Sequence, residues 1–126
     1  MIQFFFIFAS VSGLVSVLLG AFGAHALRGS IDERAMHAFE TGVSYQLTHT
    51  LVLLLCCFML EQWGRQPYLV YAVYAFSTGI ILFSGSLYLI SITQLKWLGP
   101  VTPLGGVCFI LGWGLLTLAI WQRTNN

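Results

Sequence analysis

The chain is 126 residues long, 58% hydrophobic and 7% charged, with a formal net charge of +1 and a mean hydropathy of +0.87. A soluble domain carries about a quarter of its residues as charges, so this composition excludes one and specifies an integral membrane protein. Five basic residues, thinly spread, make no stripe for a phosphate backbone; nucleic acid is excluded as a partner and membrane lipid is the expected one.

The first apolar run extends from about Ile2 to Leu27 without a charged residue, longer than the about 20 residues a membrane-spanning helix needs. Ser12, Ser16, Gly20 and Ala24 recur along it at intervals of four. That small-xxx-small stripe lets another helix backbone approach closely. Ala24-His25-Ala26 has the form of a secretory cleavage site. The apolar stretch before it is far longer than a signal peptide's core and lacks a basic flank, so the span is read as retained.

Residues 30–41 are expected to form a short amphipathic helix on the membrane surface. Ser30-Ile31-Asp32-Glu33 has the form of a capping box, and Ile31, Ala35 and Phe39 recur every four residues between charged positions. Gly42 is expected to end this helix and turn the chain into the bilayer. Span two then runs from about Val43 to Leu60, and the polar turn at 61–67 leads to span three, from about Pro67 to Ile92. There Ser77, Ser84 and Ser91 recur at intervals of seven, near Gly85. The stretch from Lys96 to Pro103 holds two prolines, and Thr102-Pro103 predicts an N-cap followed by proline at the first helical position. Span four covers Pro103 to Trp121, with Gly105 and Gly112 seven apart.

Lipid offers no partner to a free backbone group, so these spans are helices. The fold class is therefore all-α: an integral membrane four-helix bundle, with the interfacial helix between spans one and two, filling residues 1–126 as one domain. Ser12, Ser16, Gly20, Ala24, Gly85, Gly105 and Gly112 are expected to pack helix on helix. The same stripes make a homo-oligomer plausible.

Antiparallel crossing brings Gly20–His25, Tyr45–His49, Ser84–Ser91 and Thr102–Cys108 to one side of the membrane, while the other half is greasy. This predicts a polar pocket, halfway deep, built from His25, Glu40, Tyr45, Gln46, His49, Ser84, Ser86, Tyr88 and Thr102. His25 and His49 differ in depth by only ~6 Å at ~1.5 Å per residue, and Tyr45 and His49 share a helix face. Two imidazoles near a carboxylate suit zinc, a proton relay or haem. Yet there is no His-x-x-x-His, no Glu-x-x-His and no cysteine pair at ligand spacing. No catalytic residue, metal or cofactor is therefore assigned, and the two histidines are read as structural, each donating to a backbone carbonyl or hydroxyl. Because an ionisable side chain inside a span is costly, a functional role stands beside that reading. Cys56 and Cys57 lie ~20 Å deep and Cys108 ~8 Å deep by the same rise. A disulfide needs Cα atoms within about 7 Å, so all three are read as small core hydrophobes.

Three functions fit. The favoured one is a non-enzymatic structural or assembly protein, or a binder of lipid or quinone, using the polar half. A small oligomeric transporter or channel is the first alternative, opposed by the apolar Leu51–Leu60 and Leu115–Ile120. A metal-dependent membrane enzyme is the second. Any small-molecule or protein partner is left unnamed.

Gly20–Leu27 (Gly-Ala-Phe-Gly-Ala-His-Ala-Leu), Thr41–His49 (Thr-Gly-Val-x-Tyr-Gln-x-x-His), Leu82–Tyr88 (Leu-Phe-Ser-Gly-Ser-Leu-Tyr) and Val101–Gly106 (Val-Thr-Pro-Leu-Gly-Gly) follow one another in order. Together they resemble the signature segments of the YgdD-like family of small inner-membrane proteins, a domain family of unknown function. The resemblance covers essentially the whole chain. It implies a four-span protein of the bacterial inner membrane, with relatives in mitochondria-bearing cells, and no catalytic residues. Arg28, Arg34 and Lys96 on one side nearly balance Arg65, Arg123 and the amino terminus on the other. The basic C-terminal tails of the family imply both termini in the cytoplasm.

Overall fold

The computed structural model describes residues 1–125, and helices account for nearly all of them. α1 (Ile2–Phe22) runs on through one π-helical turn, Gly23–Leu27. α2 (Glu33–Trp63) follows as one continuous rod. α3 (Pro67–Gly79), a π turn at Ile80–Ser84 and α4 (Gly85–Thr93) together make the third rod. A 3₁₀ turn, Lys96–Leu98, leads into α5 (Val101–Thr124). All four rods are long and apolar enough to cross a membrane, so the all-α four-span expectation holds.

The separate surface helix is corrected. Residues 33–41 are the first turns of α2, which passes through Gly42 without a break. The apolar stripe read as membrane-facing finds protein instead: Met36 and Phe39 are buried against Leu27, with Leu19, Ile31, Val43 and Tyr88 around them. Gly42 serves close packing, since a Cβ there would come within 2.8 Å of the Tyr88 ring. Its carbonyl also accepts the Ser84 hydroxyl at 2.7 Å.

Two caps are corrected as well. Asp32, not Ser30, caps α2, accepting Ala35 N–H at 2.8 Å, while Ser30 donates back to the Ala26 carbonyl. Asp32 wins because its backbone is extended just before the first helical residue. Thr102 lies inside the first turn of α5, which starts at Val101, and its hydroxyl pairs with Ser86.

α2 packs along α1 on one side and along α3 and α4 on another, and α3 packs along α5. α2 and α5 meet through side chains rather than close backbones, which leaves room between them. The greasy half holds the main core, where Leu53, Cys56, Cys57, Leu69 and Phe76 are sealed from the surface.

The α3–α5 seam is the tightest. A Cβ on Gly105 would sit 2.3 Å from the Phe83 backbone nitrogen, and one on Gly112 2.8 Å from the Phe76 ring. Phe83 lies in the π turn, the irregularity that brings its backbone against Gly105. Ser12 and Ser16 are buried at the α1 interface, and a Cβ on Gly20 would stand 3.5 Å from Val43. Ala24 is exposed, and a Cβ on Gly85 would meet nothing within 4 Å, so these two expected packing positions lie off the interfaces.

Candidate functional site

The side chains expected to share one polar pocket fall into separate groups. The first closes the interface of spans one, two and three. Gln46 Nε2 donates to the Ser12 carbonyl at 3.0 Å and to its hydroxyl at 3.1 Å. Tyr88 donates to Gln46 Oε1 at 2.5 Å, and the Ser12 and Thr50 hydroxyls are 2.7 Å apart. Ser84 completes the group through the Gly42 carbonyl. Every polar group here meets a partner, and Ser12, Gln46, Thr50 and Ser84 are all buried. Such a network orients and locks three helices, because in lipid an unmade bond has no water to fall back on.

The second group lies on the opposite flank of span two. His49 Nδ1 is 2.8 Å from the Tyr45 carbonyl, which only a protonated Nδ1 can serve as donor. Nε2 then accepts the Trp113 indole N–H at 3.2 Å. One imidazole tautomer satisfies both contacts. The ring stacks on Phe109 with centroids 3.7 Å apart and planes 11° from parallel. With both nitrogens engaged, His49 has none free for a metal unless Trp113 withdraws. Among the described residues no group of three or more His, Cys, Asp or Glu is placed to hold a metal ion.

Beside His49 opens a groove of about 500 Å³ between α2 and α5, lined by Ser44, Tyr45, Thr48, Phe83, Gly106, Phe109, Ile110 and Trp113. That volume is in the range of small-molecule sites. The Tyr45 ring lies on Phe83 at 4.6 Å, so the walls are largely aromatic. The hydroxyls of Ser44, Tyr45 and Thr48 share this face at positions i, i+1 and i+4. None of the three makes a hydrogen bond with the described residues, whereas Ser10, Ser77, Ser91 and Thr117 donate to the carbonyl four residues back. The groove is also uncharged.

The remaining expected residues lie elsewhere. Glu40 pairs with Arg28 at 2.7 Å on the surface, a contact worth little there. Ser86 and Thr102 tie α4 to the start of α5. His25 is exposed in the π turn that ends span one, and makes no side-chain hydrogen bond with the described residues. Sequence reasoning did not single out Ser44, Thr48, Thr50, Phe109 or Trp113. For Ser44 and Thr48 a signal existed, since they share a helix face with Tyr45. For Phe109 and Trp113 there was none, because which span faces His49 depends on bundle order.

A family profile described as "Protein of unknown function (DUF423)" matches residues 19–106. The chain is similar to UPF0382 membrane protein YwdK of Bacillus subtilis (strain 168), 41% identical over 115 residues that cover 91% of this chain and 94% of the relative. It is similar to UPF0382 membrane protein SAB0533 of Staphylococcus aureus (strain bovine RF122 / ET3-1), 39% identical over 95% of this chain and 97% of the relative. Similarity to UPF0382 inner membrane protein YgdD of Escherichia coli (strain K12) is 38% over 90% of this chain and 86% of the relative. No solved structure matches.

Proposed function

The chain belongs to the DUF423 family of membrane proteins of unknown function, and from that premise we propose that it is a non-enzymatic inner-membrane protein that seats one lipid-like amphiphile in the α2–α5 groove. The observation that carries this reading is the pairing of aromatic walls with three hydroxyls that make no hydrogen bond with the described residues, in a groove of about 500 Å³. An unpaired hydroxyl inside a span is unfavourable, and a ligand that accepts from it removes the cost. The Gln46 network, fully paired, supplies the rigid frame against which the groove is held.

Gly106 provides the means to test this. A Cβ there would stand 3.9 Å from the Phe83 ring, an ordinary contact, so Gly106→Leu should fold and fill the groove. Native mass spectrometry of protein released from nanodiscs made with its own membrane lipids should show one retained amphiphile per chain. Gly106→Leu should lose it. Equal retention by the two proteins, or none by either, overturns the reading.

A further inference from the structure

Resting on that reading, we infer that the groove recognises an isoprenoid quinone, its flat dicarbonyl ring lying between the aromatic walls and accepting hydrogen bonds from Ser44, Tyr45 and Thr48. Four observations narrow the ligand. The first is depth: Glu40 is the last charged residue of α2 before Glu61, and Ser44 and Thr48 lie ~6 and ~12 Å further in at ~1.5 Å per residue. The polar end of the ligand thus sits below the level of lipid phosphates.

The second is charge. No lysine or arginine lines the groove, and the nearest acidic side chain, Glu40, is already paired with Arg28. A phosphate would find no cation there, so the ligand's polar group is neutral. The third is polarity of the bonds. The hydroxyls make no hydrogen bond with the described residues and each can donate one, while the groove's ring nitrogens are engaged with each other and with backbone, so the site can serve a ligand that only accepts. A quinone carbonyl accepts and cannot donate. The fourth is wall shape: Tyr45, Phe83, Phe109 and Trp113 present the planar faces that suit a flat ring better than a saturated glycerol backbone.

Trp113 is the built-in reporter, because quinones quench indole fluorescence. The protein with Trp63→Phe, Trp97→Phe and Trp121→Phe retains Trp113 alone. In phosphatidylcholine nanodiscs, titration with decyl-ubiquinone should quench it saturably. Gly106→Leu should abolish saturation, and Ser44→Ala, Tyr45→Phe and Thr48→Val should each weaken binding about threefold or more. Quenching that rises linearly, alike in all variants, overturns the inference. Titration with brominated phosphatidylcholine and brominated diacylglycerol separates the two levels. If either quenches Trp113 saturably, is blocked by Gly106→Leu and is not displaced by decyl-ubiquinone, the quinone assignment falls and the groove reading stands. If no probe distinguishes the parent from Gly106→Leu, both fall. Far-ultraviolet circular dichroism of each variant confirms that the four helices are present.

Discussion

Span two turns two polar faces to the rest of the bundle, and they are built on opposite terms. Toward spans one and three, Gln46 engages both ends of its amide, with Ser12 at one end and Tyr88 at the other, and the Ser12 and Thr50 hydroxyls pair beside it. Toward span four, on the opposite flank at the same level, Ser44, Tyr45 and Thr48 make no side-chain hydrogen bond with the described residues and stand beside an aromatic wall. A saturated network holds helices together and has nothing left to offer a ligand. An unsaturated face does the reverse, and the comparison separates structural polarity from recognising polarity within a single helix.

The largest expected effect falls on the seam that holds the groove's back wall. Gly105→Ala drives a Cβ into the Phe83 backbone, which cannot yield as a side-chain tip could, and should destabilise the bundle by about 3 kcal/mol. Gly85→Ala, with open space around it, should be neutral or stabilise by up to ~1 kcal/mol through helix propensity. Steric-trap unfolding in bicelles reads both; equal losses would contradict the seam.

Next comes the paired face. Gln46→Leu removes three hydrogen bonds and strands the Tyr88 hydroxyl, at a cost of about 2 kcal/mol. The same unfolding assay would break the comparison if this loss did not exceed that of Thr48→Val. His49→Phe keeps the stack on Phe109 but leaves the Trp113 N–H without its acceptor, so about 1 kcal/mol should be lost. A blue shift of Trp113 emission should accompany it, and an unchanged spectrum would show that the indole does not depend on His49. The smallest effect belongs to the groove face, where Ser44→Ala and Thr48→Val remove no hydrogen bond among the described residues and should change ligand-free stability by less than about 0.5 kcal/mol.

Much of the fold is legible in the sequence because bilayer thickness imposes its own period: four apolar runs of about 20 residues have few alternatives to four spanning helices. The expected surface helix fails for a physical reason. Met36 and Phe39 make an apolar surface whether they meet lipid or Leu27, and only the tertiary structure tells which. Gly42 has the look of a terminus but answers to the Tyr88 ring. The site is partly legible. Tyr45, Gln46 and His49 stand out by polarity, yet their division between two faces needs the positions of Ser12, Tyr88 and Trp113. The π turn at Ile80–Ser84 leaves no mark in composition or spacing, although it carries Phe83 to the groove.

The most direct test of the contrast is thermal unfolding of the wild type and of the Ser44→Ala/Tyr45→Phe/Thr48→Val triple variant in nanodiscs, each with and without decyl-ubiquinone. Without quinone the two should melt together. With quinone at about 100 times its Kd, the wild type should gain about 2.7 kcal/mol by mass action and the variant little of it. A triple variant that melts as low as Gln46→Leu without quinone, or that gains as much as the wild type with it, would contradict the account.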